Sequence, residues 1–463
     1  MPRWAVGAVV VLLVAACAPH QVYRSDYTLC RDARPEQACP RAALQETADS
    51  ADPAARYLLG FVEFDDQGQL WDRAQMDAVL GRINAEAADK DLLLLVFVHG
   101  WKHSAAPGDG NVNTFRGVLG RLAALENRIS AAAGLAPRKV VGVYLGWRGG
   151  SVTVPVVKEL SFWDRKNVAH KVGYGGVTEV LARLELVQKT KDAMAARDAS
   201  GPAGAKSRTR LVVIGHSFGG AVVFSALSQI LEMRFVDTTG PLGVVSDVRG
   251  FGDLVVLINP AFEAARYAVL SDMATERGTY FPSQLPVLAV LTSQADYATK
   301  LAFPLGRWFS TLFEKEHEAS RKNGLTGKRE TIDQGRANVT AVGHFAPYQT
   351  HRLSATATVG REALAPVAMA EDLKLLFNTV EEWRNDAPGN VIQFHGARLT
   401  RSQTSAGRNP YLVVKVDKAL IRDHNDMDDP RIIGFIRQLV LLASLARELE
   451  AEQVTPAQLL GPE

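Results

Sequence analysis

The sequence predicts an α/β fold built on a mostly parallel sheet with helices on both faces. Short apolar, β-branched runs alternate along the chain with segments of helical period, the pattern of a parallel sheet with crossover helices. One of these runs, Leu92–Val98, is apolar throughout, as a strand buried on both faces requires. Near the middle, Gly215-His216-Ser217-Phe218-Gly219 lies between the apolar run 211–214 and a helical stretch over 220–232. That is the strand, sharp turn and helix in which a G-x-S-x-G serine is held exposed at the tip of an elbow.

The elements follow in order. Residues 61–64 read as a short strand, closed by the turn Asp65-Asp66-Gln67-Gly68. A helix follows over about 70–88, with Leu70, Met76, Val79, Leu80 and Ile83 at helical spacing. After strand 92–98 come a helix over 115–132 and a buried strand over 140–145. The elbow strand precedes strands over 254–258 and 287–291, and 411–416 is the last strand, followed by a helix over about 431–451. Two stretches break this rhythm and read as insertions. The first, about 149–176, is irregular and rich in Trp, Tyr and Gly. The second, about 299–390, carries the aromatic group Phe303, Trp308, Phe309 and Phe313 and a charged run over 314–330. Each is read either as a lid or as surface structure with its own small core.

The chain has 463 residues, enough for one large core or two modest ones. With 52 basic and 50 acidic residues and no Lys/Arg block, it lacks the electrostatic footprint of a nucleic-acid partner. Arg3, an apolar run over 5–16 and Cys17 form a secretory signal, too short to span a bilayer. Val14-Ala15-Ala16-Cys17 resembles the lipobox of bacterial lipoproteins, which implies lipidation of Cys17 and a membrane anchor. Ala18 in place of Asp points to the outer membrane where the host has one. The expected layout is a signal peptide over 1–17, a polar tether over 18–55 and the α/β domain over 56–463. Export would allow Cys30 and Cys39, the other two cysteines, to form a structural disulfide. Without neighbouring histidines they do not suggest a metal site.

A serine hydroxyl is a weak nucleophile; it needs a base and donors for an oxyanion. Gly215 and Gly219 permit the tight turn around Ser217, and the Phe218 N–H sits at a helix N-terminus. At the end of strand 92–98 stands His99-Gly100-Trp101, where a second oxyanion amide is expected; Trp101 N–H is the candidate. His99 reads as a loop brace, and Lys102 and His103 as pocket rim. For the acid, Asp296 lies just past strand 287–291. Glu263 is the alternative, whereas Asp253 begins a strand and so lies at the wrong edge. The order nucleophile, acid, histidine favours His424, after the last strand, as base. His344 is the alternative base; His351 and His395 are weaker.

With these residues placed, the chain resembles the α/β-hydrolase superfamily over about 58–449, outside the two insertions. The strings Phe97-Val98-His99-Gly100-Trp101-Lys102-His103, Gly146-Trp147-Arg148-Gly149 and Asp423-His424-Asn425-Asp426 are similar to those of a bacterial group of exported, esterase-like hydrolases. The resemblance implies serine esterase or lipase chemistry through an acyl-enzyme on Ser217, with no cofactor and no metal. The expected substrate is a small-molecule or lipid-like ester, met at the bacterial cell envelope. The same residues would equally serve amide hydrolysis or acyl transfer to a lipid. A binding or scaffold protein that keeps the fold without the chemistry is the remaining alternative.

Overall fold

The computed structural model describes residues 19–48, 52–132, 134–150, 162–197, 206–304, 314–356, 369–426 and 429–451. The expected signal segment with Cys17, and Trp308, Phe309 and Phe313, lie outside the described residues. The protein is α/β, with mostly parallel sheet flanked by helices, and it divides into two compact units. One holds the chain up to Thr209 together with Ala221–Ala226; the other holds Arg210–Gly220 and the chain from Leu227 onward.

In the first unit, β1 (Asp26–Arg31), β2 (Ala42–Ala48), β3 (Arg56–Phe64), β4 (Leu92–Val98) and β5 (Lys139–Trp147) lie in the order β1-β2-β3-β5-β4. β5 pairs in parallel with both β3 and β4. Its helices are the short α1 (Pro35–Ala38), α2 (Arg73–Asp89), α3 (Gly110–Ala132), α4 (Phe162–Val172) and α5 (Thr178–Arg197). Helices cover both faces. A Cβ on Gly60 would meet Val79 of α2, and one on Gly142 would meet Leu119 of α3. Since Gly142 is in register with Leu59, not Gly60, the two helices pack on opposite sides of the pleat.

The stretch expected to be a tether is instead integral to this sheet, as β1 and β2 are two of its strands. Its polarity conceals this, because much of the polarity is buried and paired. The Arg24 guanidinium is fully buried, bonded to Ala105 O and Pro40 O at 2.7 Å each and to Glu36 at 3.0 Å. Buried Glu63 accepts the backbone N–H groups of Tyr23 and Arg24. The Cys30–Cys39 disulfide is present and ties the end of β1 to the short connection that leads into β2.

The expected irregular insertion over 149–176 is, in its described part, largely α4. It breaks at a kink within Gly173–Val177, where Gly175 leaves the helical angles (φ −93°, ψ −136°), and the chain resumes as α5. Gly176 N–H bonds Gly68 O at 2.7 Å, so small residues are needed where the helix passes the Asp65–Gly68 turn. The glycines that suggested a loop are there for that close approach.

In the second unit the sheet order is β6 (Arg210–His216), β9 (Leu254–Ile258), β10 (Leu288–Ser293), β16 (Tyr411–Val416), β13 (His351–Ala355), β15 (Ala397–Arg401) and β14 (Val391–Phe394). β7 (Thr239–Gly240) with β8 (Gly243–Val244), and β11 (Glu318–Lys322) with β12 (Arg329–Asp333), form separate two-stranded hairpins. Pairing is parallel from β6 through β13 and antiparallel at β15 and β14. The helices are α6 (Phe218–Val236), α7 (Ala268–Arg277), α8 (Gln334–Val339), α9 (Met369–Arg384) and α10 (Pro430–Ala451).

Alternation along the central strands splits their side chains between two cores. Leu254, Val256, Leu291, Leu412 and Val414 pack with Trp383 of α9 and with Ile432, Phe435 and Leu439 of α10. Tyr411 faces the other way, stacked on Phe235 of α6 at 6.0 Å. Both faces are thus covered, which explains why these strands are apolar along most of their length, the exceptions being Thr292, Ser293 and Lys415 toward their carboxyl ends.

The region 299–390 is not wholly an insertion, because β13 within it joins the sheet beside β16. Its sequence, His351-Arg352-Leu353-Ser354-Ala355, is too polar to stand out as a strand. Leu353 is nonetheless fully buried. β15 escapes notice in the same way, through Arg398, Thr400 and Arg401, whereas β14 is mostly apolar but only four residues long.

Candidate active site

Four parallel strands bring their carboxyl ends to one edge of the second unit, and each contributes a residue or a loop to the site. In register, His216 of β6 pairs with Ile258 of β9, Ile258 with Leu291 of β10, and Ser293 of β10 with Val416 of β16. Ser217 follows β6, Asn259 follows β9, Asp296 follows β10 and His424 follows β16. The carboxyl edge of a parallel sheet is where such folds place ligands.

Ser217 caps α6 with φ 55° and ψ −121°, an uncommon backbone conformation for a residue with a side chain. The turn is held on both sides: Ser217 N–H bonds Ile258 O at 2.9 Å, and Gly220 and Ala261 N–H groups bond Ser217 O at 3.0 and 3.1 Å. A Cβ on Gly215 would lie 2.6 Å from Gly219 O, so strand and helix can meet this closely only at a glycine. Phe218 is the first residue of α6, where backbone N–H groups point out of the helix end.

His424 Nε2 lies 2.7 Å from Ser217 Oγ, and His424 Nδ1 lies 2.9 Å from Asp296 Oδ1. Asp296 is fully buried and the His424 side chain is 19% exposed, so the chain runs from a dry carboxylate to an accessible imidazole edge. Burial alone would raise the Asp296 carboxyl. Hydrogen bonding and charge from His424, with the Thr299 donors, outweigh it and hold the carboxyl below its ordinary value. Asp296 is therefore ionised and accepts the Nδ1–H of His424, which leaves Nε2 as the acceptor for the Ser217 hydroxyl. Such an arrangement can take a proton from the serine as it attacks an electrophile, and can stabilise the imidazolium that forms.

The alternatives lie elsewhere. His344 bonds Thr299 Oγ1 at 3.0 Å and stands behind Asp296. Glu263 is paired with Arg266 at 2.9 Å. Asp253 accepts Leu211 N–H at the start of β6, the opposite end of that strand from Ser217. His351 is buried at the start of β13, and burial takes it down to about 3. His395 sits in the turn between β14 and β15.

His99, Trp101, Lys102 and His103 belong to the first unit. His99 is a brace: its Nε2 accepts the Trp147 backbone N–H at 3.0 Å, so Nδ1–H donates to Gly100 O at 2.9 Å. Burial lowers its pKa to about 4 and keeps it neutral. Trp101 packs edge-on against Phe162 at 5.2 Å, with the Lys102 ammonium 3.9 Å from its ring centre. His103 is paired with Asp109 at 3.0 Å.

Sequence reasoning missed the residues that hold His424 in place. His216 Nε2 and Asn259 Nδ2 both donate to the His424 carbonyl, at 3.0 and 2.9 Å. Asn259 Oδ1 accepts Ser293 N–H at 2.9 Å, and Ser293 Oγ donates to Ile421 O at 2.6 Å. Asp423 Oδ1 accepts Asn425 and Asp426 N–H and tightens the turn. Of these only His216, inside the Ser217 pentapeptide, and Asp423, beside His424, lay within a motif already noted.

Among the described residues no group of three or more His, Cys, Asp or Glu side chains is placed to hold a metal ion. Comparison of the chain with family models, with curated proteins and with solved structures finds no match. Mostly parallel α/β sheets serve many chemistries, so the functional argument rests on the site and not on the fold.

Proposed function

We propose that the protein is a serine hydrolase acting on carboxylic esters, of the α/β-hydrolase kind. The observation that carries this reading is the hydrogen-bonded series Ser217 Oγ, His424 Nε2, His424 Nδ1 and Asp296 Oδ1, built on a strained strand–turn–helix elbow. Ser217 Oγ attacks the ester carbonyl carbon while its proton passes to His424 Nε2. Asp296 holds the imidazole and offsets its positive charge. The Phe218 N–H at the start of α6 faces the charge that develops on the carbonyl oxygen. The C–O bond then breaks, and the alcohol leaves with the proton from His424. Water repeats the sequence on the acyl-enzyme and releases the acid.

Purified wild-type protein is expected to label covalently with a fluorophosphonate probe and to hydrolyse short p-nitrophenyl esters. A preparation that does neither would favour a binding or scaffold role. Rates on matched ester, thioester and amide series rank the bond cleaved, because the acyl-enzyme is common to all three.

We further propose that the protein is exported and held at the bacterial cell envelope through lipid on Cys17. The apolar run after Arg3, the position of Cys17 and the disulfide between Cys30 and Cys39 support this, since disulfides persist in oxidising compartments. Full-length protein is expected in the membrane fraction and Cys17→Ser in the soluble fraction. Equal membrane retention of the two would count against the anchor.

A further inference from the structure

His344 does not reach Ser217, yet it ends a hydrogen-bond chain that does. Its Nε2 lies 3.0 Å from Thr299 Oγ1, and Thr299 Oγ1 bonds Asp296 Oδ2. Thr299 also gives its backbone N–H to Asp296 Oδ1 at 3.1 Å. The proton count fixes the direction of each bond. The ionised carboxylate has no proton to give, so the single hydroxyl proton of Thr299 goes to Asp296. Thr299 Oγ1 can then only accept from His344, which must carry its proton on Nε2. From the other side, Ser217 donates to His424 and His424 donates to Asp296 Oδ1. Both halves of the chain therefore point at the same carboxylate.

The backbone is arranged to bring His344 here. A Cβ on Gly343 would lie 1.8 Å from Thr292 Oγ1, so the short turn before β13 can press against the end of β10 only with glycine at that position. Thr299 is itself almost wholly buried, beside the fully buried Asp296. An unpaired oxygen there has no water to turn to.

We propose that Thr299 and His344 are positioning residues for the Ser217–His424–Asp296 site. His344 turns the Thr299 hydroxyl toward Asp296, and Thr299 pins the carboxylate so that Oδ1 faces His424. This rests on reading Ser217 as the nucleophile. Burial takes His344 down to about 4, which keeps it neutral and suited to this single-donor role near neutral pH.

The test uses the full-length chain and four variants, with kcat and KM for p-nitrophenyl acetate, the rate of fluorophosphonate labelling, and melting temperature. Thr299→Val keeps the shape but removes the hydroxyl. It is expected to lower kcat about tenfold to a hundredfold, the effect of one lost bond to a buried carboxylate, with KM unchanged. Thr299→Ser restores the hydroxyl and is expected to recover most of that loss. His344→Leu is expected to lower kcat without raising KM, and His344→Gln, whose amide N–H replaces Nε2–H, to recover it. Wild-type kcat and labelling in both Thr299→Val and His344→Leu would overturn the proposal while leaving the nucleophile in place. So would equal losses in the Ser and Gln variants that track a fall in melting temperature, since that is the signature of packing alone. Absence of labelling in the wild type would overturn the nucleophile reading, and the positioning role with it.

Discussion

Ser217→Ala is expected to lower kcat on p-nitrophenyl esters by about a millionfold and to abolish fluorophosphonate labelling, the scale seen when a triad serine is removed. The size follows from the role. Without the hydroxyl no acyl-enzyme forms, and His424 and Asp296 have no proton to move. The fold is expected to survive. Ser217 holds its place through backbone bonds, its N–H to Ile258 O and its carbonyl to Gly220 and Ala261 N–H, all of which alanine keeps. Alanine also tolerates φ 55° no worse than serine does. The melting temperature should therefore change little while turnover disappears. Hydrolysis that persisted in a clean preparation of the variant would place the chemistry elsewhere.

Asp296→Asn is expected to cost about 10⁴-fold in kcat with KM little changed, as loss of the orienting carboxylate does in serine hydrolases with a Ser-His-Asp triad. Two orientations of the new amide are available, and both fail. With Nδ2 toward His424, two N–H donors face each other and the imidazole must take the wrong tautomer. With Oδ1 toward His424, Nδ2 faces Thr299 Oγ1, which already accepts from His344; the Thr299 proton then has no carboxylate to reach. In this second orientation the imidazolium also forms without a negative charge beside it. The amide is nearly isosteric with the carboxylate, so melting temperature distinguishes lost chemistry from lost structure. A loss below about tenfold, the size of an ordinary hydrogen bond, would show that Asp296 is not the orienting acid.

Much of the sheet was legible because its central strands are buried on both faces. Leu92–Val98 and Tyr411–Val416 stand out by apolar content alone. The edges were not. β1, β2, β13 and β15 carry charged and hydroxyl side chains that can find partners elsewhere in the chain, as Arg401 of β15 does with the carbonyls of Asp386 and Ala387. A paired buried charge and a solvated one look identical in a sequence. The helix α4 was hidden in a similar way, since Gly173 and Gly175 suggest a loop when they serve a close approach to another segment.

The site divides along the same line. The elbow is a local object. Glycine where strand and helix touch, a β-branched strand before it and a helix after it are encoded within a few residues, so Ser217 could be singled out from its neighbours. Its partners could only be ranked. Asp296 and His424 are 128 residues apart, and chain order favoured His424 over His344 without excluding either. What separates the two histidines is the placement of the turn 423–426 by His216, Asn259 and Ser293, and of the turn 342–344 by the contact of Gly343 with Thr292. Hydrogen bonds are decided over a few tenths of an ångström. That precision comes from the register of four parallel strands and the packing behind them. Local propensity sets backbone angles and burial, and so specifies the serine on its turn; it carries no distance between loops. The tertiary fold supplies that distance. It sets one histidine against the serine and leaves the other behind the acid.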